Sequence, residues 1–370
     1  MKDDHKTANR QSKRGKGGYQ KEWAIALFSL LMATALPALV AMVSGLGRSG
    51  SDVGINDHTV ICLGRHEGQA EEELTLGRLL ALSLAATNGS DTPAASWEAQ
   101  AILLRSRSLW WMDYCGGVEG KSTRQEGSEG EKEKKDEKSD GNGASVEEKG
   151  REGQKGPNAS HRPFLCDSPV HGLPYLSHDE LLKLWGEEEI KLRLDAAQKA
   201  VEKTRGQVLC YEGEVVPALL HHSSGGVTQS VEQLPWLASV STPEEGKEAI
   251  CTRSTDEVRH ALAAGFGMLL PANSALWELS IQSSADGKVL MVQIGGEQLN
   301  GTAVAEALSL PSAAFTVEVG TDTLTFVCKG EGSGCGLSRA GAAIYAAGGL
   351  TCGEILAHYY PDCTIGIMGR

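Results

Sequence analysis

The sequence predicts an α+β fold with mainly antiparallel sheet. Three observations carry this reading. Long apolar runs with helical spacing come first. Short β signals joined by tight turns come later. There is neither βαβ alternation nor an internal repeat.

The elements follow in chain order. Leu74 to Ala86 has helical spacing and high apolar content. Ala95 to Met112 reads as a second helix, with Trp97, Ala101, Leu104 and Leu109 on its apolar positions. Ser177 is placed to cap a third helical region, which runs through "EEEIKLRLDAAQKAVEKTRG" and stops at Gly206. "QVLCY" and "EVVPALL" flank a Glu-Gly turn. "LWELSIQSS" and "KVLMVQI" flank Asp286-Gly287, a hairpin signature. "AFTVEV" and "LTFVC" form another hairpin. Ser254-x-x-Glu257 and Thr351-x-x-Glu354 are capping boxes that open short helices.

Two segments are not globular. Trp23 to Val43 is uncharged over 21 residues. At 1.5 Å per residue that is about 32 Å of helix, enough to span a bilayer. The tail before it, residues 1–22, carries a charge of +4, which predicts a cytoplasmic N-terminus and an exported remainder. Residues 44–73 read as a juxtamembrane segment and 74–370 as the folded exported domain. Within that domain, 116–160 holds eleven acids and nine bases with many Gly and Ser. Such a chain cannot bury enough apolar area to offset its ordering entropy, so it reads as a disordered insertion.

The 370 residues carry a formal charge of −13, and −17 beyond the tail. That balance excludes a nucleic-acid footprint outside the tail. A polyanionic partner could be held only through a local cationic patch. The nine cysteines are irregularly spaced and form no C-x-x-C, so no disulfide pairing is read from them. Cys210, Cys328 and Cys352 lie among apolar residues and read as buried free thiols.

Three stretches hold candidate chemistry. "LLHHSSGGVTQS" places His221 and His222 beside Ser223, Ser224, Gly225, Gly226 and Thr228. A nucleophilic site would need an orienting group and an oxyanion hole. On spacing alone a Gly-Gly turn with satisfied hydroxyls is the better reading. "GEGSGCGLSRAGA" alternates glycine from 330 to 336 before a helix. It lacks the lysine of a phosphate loop and favours a backbone-lined groove. His161, Cys166 and His171 could hold zinc, but no fourth ligand is evident, so the expected cofactor is none or a structural zinc.

Together these stretches resemble one family, the stage II sporulation protein D family. "SWEAQAILLRSRSL" is similar to its "ALKAQAVAARTYAL", matching at Ala99, Gln100, Ala101, Arg105 and Leu109. "AVEKTRGQVLCYEGEVVPALLHHSSGGVT", Ala200 to Thr228, resembles "AVEETRGEVLTYDGKPIxAFFHSTSGGxT". "GEGSGCGLSRAGA" resembles "GxGHGVGMSQYGA", and "EILAHYYPDCTI" resembles "EILKHYYPGTEI". The order and spacing hold from about Leu74 to the C-terminus, apart from the insertion.

The resemblance implies a membrane-anchored lytic transglycosylase. It would cut peptide-stripped glycan strands of peptidoglycan during forespore engulfment, with a cell-wall amidase and a membrane scaffold protein as partners. Its substrate groove would include Gln100, Arg105, His221, Ser223, Ser224, Gly225, Gly226, Thr228, Ser333 and Ser338. The chemistry needs one carboxyl that protonates the glycosidic oxygen and then serves as base. The family's glutamate falls on Thr87, thirteen residues before Gln100. A threonine hydroxyl is far too weak an acid for that task. Other departures are Arg107 for the family's Tyr, Ser333 for its His, Arg339 for its Gln, and Gly172 for a metal-binding Cys. Three functions therefore remain: a glycan-binding protein with weak or lost cleavage, an active enzyme whose acid has moved to Glu98 or to Glu71–Glu73, and an amidase enhancer or assembly partner.

Overall fold

The computed structural model describes residues 55–64, 72–117, 163–166, 173–244 and 248–368. The predicted anchor at Trp23–Val43 lies outside them, as does the predicted insertion beyond residue 117. Among the described residues no helix is long and apolar enough to cross a membrane.

The architecture is mixed α and β, as predicted, and seven of the nine strand pairings are antiparallel. It is built around two hydrophobic cores. The larger core holds α1 (Leu76–Thr87), α2 (Ala94–Gly117), α3 (His178–Trp185) and α4 (Glu187–Lys203). α2 is buried on nearly every side between Ser96 and Met112 and runs through the middle. Trp97, Ala101, Leu103 and Trp111 are all at most 1% exposed. A small sheet of β1 (Val60–Gly64), β2 (Glu72–Thr75) and β3 (Phe164–Cys166) packs on it in the order β2-β1-β3. The folded body therefore begins before Leu74. Leu74 itself is in β2, and α1 starts only after Thr75, whose hydroxyl caps it.

The predicted third helical region is two helices. Gly186 stands between them at φ 81°, a backbone state that other residues resist, and so breaks the run. Ser177 caps α3 in a full capping box with Glu180. α2 continues to Gly117, so residues 116 and 117 of the predicted insertion are helical.

β4 (Gln207–Tyr211) and β5 (Glu214–Val215) form the expected hairpin. Glu212 and Gly213 both have positive φ, as a type I′ turn requires. The pairing ends before Pro217, which has no N–H to donate. The chain then runs on into β6 (Leu220–His221). The smaller core follows: β7 (Glu248–Ser254), α5 (Thr255–Phe266), β8 (Ser280–Ser283), β9 (Val289–Ile294), β10 (Glu297–Asn300), α6 (Gly301–Ala307), β11 (Phe315–Val319) and β12 (Thr323–Lys329). Both predicted hairpins are present here, and β7 adds itself to β12 along its whole length. The chain returns through the glycine-rich loop to β13 (Leu337–Ser338), α7 (Arg339–Ala347), α8 (Cys352–Tyr359) and β14 (Cys363–Ile367). β13 pairs in parallel with β6, and β14 pairs antiparallel with β4. The smaller unit is thus inserted between two strands of the larger one, and the two crossing connections meet beside β6 and β13.

Candidate functional site

The candidate site forms at those crossings. α1 ends at Thr87, and Asn88 caps it. The Asn88 amide donates to Leu84 O at 3.1 Å and to Gln100 Oε1 at 2.9 Å. Gln100 Nε2 returns a bond to Asn88 Oδ1 at 2.8 Å. This reciprocal amide pair is buried and locks the end of α1 onto α2. Gln100, expected in the groove, is therefore part of the support beneath it. Ser90 Oγ on the following loop donates to Glu189 Oε2 at 2.9 Å, which ties that loop to α4. Thr87 is half-buried, and its hydroxyl donates to the carbonyls of Ser83 at 3.1 Å and Leu84 at 3.3 Å.

Arg105 was also expected to face substrate, and its placement corrects that. It is fully buried, and all five guanidinium donors are used. Nε and Nη2 grip Asp57 at 2.8 and 3.0 Å, Nη2 also reaches Val201 O, and Nη1 reaches Gln207 O and Thr204 Oγ1. A saturated, desolvated fork has nothing left for a sugar. Arg105 instead joins the segment before β1 to α2, α4 and β4.

The glycine alternation has a clear cause. Gly330, Gly332, Gly334 and Gly336 all have positive φ. A Cβ on Gly330 would lie 2.4 Å from Ser223 O, and one on Gly336 would lie 2.2 Å from Leu219 O. The backbone these glycines admit is the chain's own 219–229 segment. Ser223 and Glu331 exchange two backbone bonds, at 3.1 and 2.7 Å, which seals the contact.

The predicted hydroxyls are mostly consumed by this construction. Ser224 N donates to Glu244 Oε2 at 2.8 Å, and Ser224 Oγ to Glu244 Oε1 at 3.2 Å. Thr228 Oγ1 accepts from Val240 N at 2.8 Å and donates to Ala238 O. Ser338 Oγ accepts from Gly341 N as the cap of α7. Ser223, Ser224, Thr228 and Ser338 are all buried, whereas Gly225 and Gly226 are half-buried. Glu244, a buried carboxylate missed in the sequence, holds the Ser-Ser-Gly-Gly turn in place. It sits twenty residues away in an irregular connection, where no pattern marks it.

His221 is 2% exposed. Its Nδ1 lies 3.0 Å from the Cys335 carbonyl, so it carries the proton, and Nε2 is sealed without a partner. Burial, with a smaller contribution from the charge of Arg339, lowers its pKa to about 3. The ring is neutral at physiological pH and belongs to the wall.

What remains open to solvent is a different set. His222, Glu331, Ser333 and Arg339 are half-buried on the outer side, with Thr87 nearby. His222 Nε2 and Glu331 Oε2 are 3.7 Å apart. Ser333 Oγ accepts from Cys335 N at 3.3 Å, which leaves its proton free to donate. Arg339, the first residue of α7, donates from Nη1 to the Thr87 carbonyl at 3.5 Å. The backbone at the expected acid position and that cation therefore meet across 252 residues of sequence. Neither Glu98 nor Glu72 is in this group. Glu98 pairs with Lys203 at 2.7 Å, and Glu72 accepts from the Tyr175 hydroxyl at 2.6 Å. Among the described residues no His, Cys, Asp and Glu cluster could hold a metal. His161 and His171 lie outside them, and so does the side chain of Cys166.

Fold and site together define an α+β domain in which two glycine-bearing connections pack on one another, near a buried Asn-Gln amide pair that locks α1 onto α2. The chain is similar to curated stage II sporulation protein D sequences. It is 31% identical over 200 residues to stage II sporulation protein D of Bacillus subtilis (strain 168), covering 52% of this chain and 57% of that protein. It is 30% identical over 220 residues to the protein of the same name from Bacillus amyloliquefaciens, covering 56% and 62%. The chain thus spans less than two thirds of the length of these curated relatives. No family model matches it.

Proposed function

We propose that this chain is a sporulation protein that binds the glycan strands of peptidoglycan and cleaves them weakly or not at all. In this reading it is anchored by Trp23–Val43, with its folded domain exported and working beside a cell-wall amidase and a membrane scaffold protein. One observation carries it: the glycine-bearing connections and the buried Asn88-Gln100 pair are in place, but Thr87 stands where an acid would have to act, and its backbone carbonyl accepts from Arg339. A threonine cannot supply the proton that leaving-group departure needs. An acid moved to Glu98 or to Glu71–Glu73 is the alternative reading; Glu98 pairs with Lys203 and Glu72 accepts from Tyr175, whereas Glu71 lies outside the described residues.

The test mixes the purified chain with amidase-treated peptidoglycan. Co-sedimentation with little anhydro-muropeptide is expected, and robust anhydro product would sink the proposal. Binding to an amidase without sedimentation on peptidoglycan would favour the assembly-partner reading instead.

A further inference from the structure

Cys251 on β7 and Cys328 on β12 share one face of the three-stranded sheet in the smaller unit. In the β7–β12 ladder Cys251 stands opposite Phe326, and Cys328 stands opposite Ala249. Side chains two apart on a strand point the same way, so both thiols point with Phe326 into the smaller core, as diagonal neighbours. The two thiols are within hydrogen-bonding reach of one another. Both are free cysteines, Cys328 at 0% exposure and Cys251 half-buried.

The pair has the asymmetry of a thiol–disulfide exchange site. Cys251 is the sulfur that an outside reagent can reach. Burial pushes the Cys328 thiol up to about 12, so it is not the first to react. The nearby Arg253 guanidinium opposes that shift and favours the thiolate once it is needed. A diagonal pair lies near the upper limit of the Cα separation that a disulfide spans, about 7 Å, so closure needs a small slide of one strand. The strand order β11-β12-β7 leaves β7 at the edge, paired on one side only, and an edge strand can make that slide.

The position gives the bond a consequence. β7 brings the chain into the smaller unit, and β12 carries it out toward the glycine-rich loop. A bond between them closes a loop over α5, β8, β9, β10, α6 and β11. It ties together the two strands through which the smaller unit joins the larger one.

We propose that Cys251 and Cys328 are a redox-active pair that closes into a cross-strand disulfide and clamps the inserted unit at its base. The oxidant is an external low-molecular-weight disulfide. The Cys251 thiolate attacks one of its sulfurs, and the first thiolate leaves. Cys328 then attacks the Cys251 sulfur of the mixed disulfide, and the second thiolate leaves. The two cysteines are oxidised by two electrons, the external disulfide is reduced to two thiols, and those thiols take up the two cysteine protons. An exported domain meets such oxidants, and the bond itself needs neither glycan nor amidase.

The test treats the reduced full chain in detergent with oxidised glutathione. Remaining thiols are blocked with N-ethylmaleimide, and the peptides are mapped by mass spectrometry without reduction. A peptide pair linked through Cys251 and Cys328 is expected, and dithiothreitol should return both thiols. In Cys328→Ala the reaction should stop at a glutathione adduct on Cys251. In Cys251→Ala the Cys328 thiol should stay unmodified. The linked chain should shift the unfolding equilibrium in urea toward the folded state by about 30- to 1000-fold, the range of one native disulfide. A lasting glutathione adduct on Cys251 of the unaltered chain, an unreacted Cys251, or its linkage to another cysteine overturns the inference. Linked and reduced chains that unfold at the same urea concentration overturn the clamp. None of these outcomes bears on glycan binding, which the sedimentation assay tests separately.

Discussion

Restoring the acid should not by itself restore cleavage. In Thr87→Glu the new carboxylate arises beside a guanidinium whose Nη1 already lies 3.5 Å from the residue-87 carbonyl. At about 4 Å and an effective dielectric of about 20, two unit charges attract by about 4 kcal/mol. An opposite charge at that range typically lowers a carboxyl pKa by about 1–3 units. The catalytic task needs the opposite, a carboxyl raised toward neutral pH so that it can give up a proton. A lowered pKa removes a further ~10- to 1000-fold of the protonated form at pH 7. Thr87→Glu should therefore yield little anhydro-muropeptide from peptide-free strands at saturating concentration. Thr87→Glu combined with Arg339→Gln should yield at least about 10-fold more, the lower end of that range. If the single variant cleaves as fast as the double, the charge coupling between positions 87 and 339 is wrong.

Other expectations test the scaffold. Arg105→Ala leaves Asp57 buried and unpaired and should cost about 3–5 kcal/mol in urea unfolding, with Arg105→Lys recovering little. Gly330→Ala forces a left-handed residue and a Cβ within 2.4 Å of Ser223 O; it should cost at least about 1 kcal/mol, whereas Gly353→Ala, with open space around it, should be near neutral. His221 titrates at about 3 when folded and near ~6.5 when unfolded, so the unfolded state binds more protons between those values. Stability should fall as pH drops through that window, by up to about 1.4 kcal/mol per unit, and His221→Gln should flatten the slope. Burial pushes the Cys328 and Cys335 thiols up to about 12 and 11, so both should resist iodoacetamide at pH 8 in the native protein and react on unfolding, as read by mass spectrometry.

Local chemistry was readable from the sequence, and distant pairing was not. The capping boxes at Ser254 and Thr351 and the Asp286-Gly287 turn involve residues within a few positions of each other, so the pattern suffices. The addition of β7 to β12, of β14 to β4 and of β13 to β6 joins segments scores of residues apart, and periodicity carries no such information. The same limit shaped the site. Motif resemblance assigned Arg105 and Gln100 to the groove, because a motif does not say whether a polar side chain faces ligand or Asp57 and Asn88. Cys352, read as buried, is half-buried beside Glu98 and Lys203. The alternating glycines were visible, but that they admit residues 219–229 was not.

Arg339 has a structural role at the end of α1. The C-terminal end of α1 presents carbonyls with partial negative charge, and a cation there is stabilising by about 0.3–1 kcal/mol. The contact to the Thr87 carbonyl is of this kind. That role, however, needs one donor and a point charge. It explains neither the forked head group nor the sealed Nε without an acceptor. A lysine at 339 would serve the helix end equally well. Arg339→Lys should therefore keep the urea midpoint of the unaltered chain, whereas Arg339→Gln should lose about 0.3–1 kcal/mol. A loss in the lysine variant as large as in the glutamine one would mean that the fork itself, rather than its charge, closes α1.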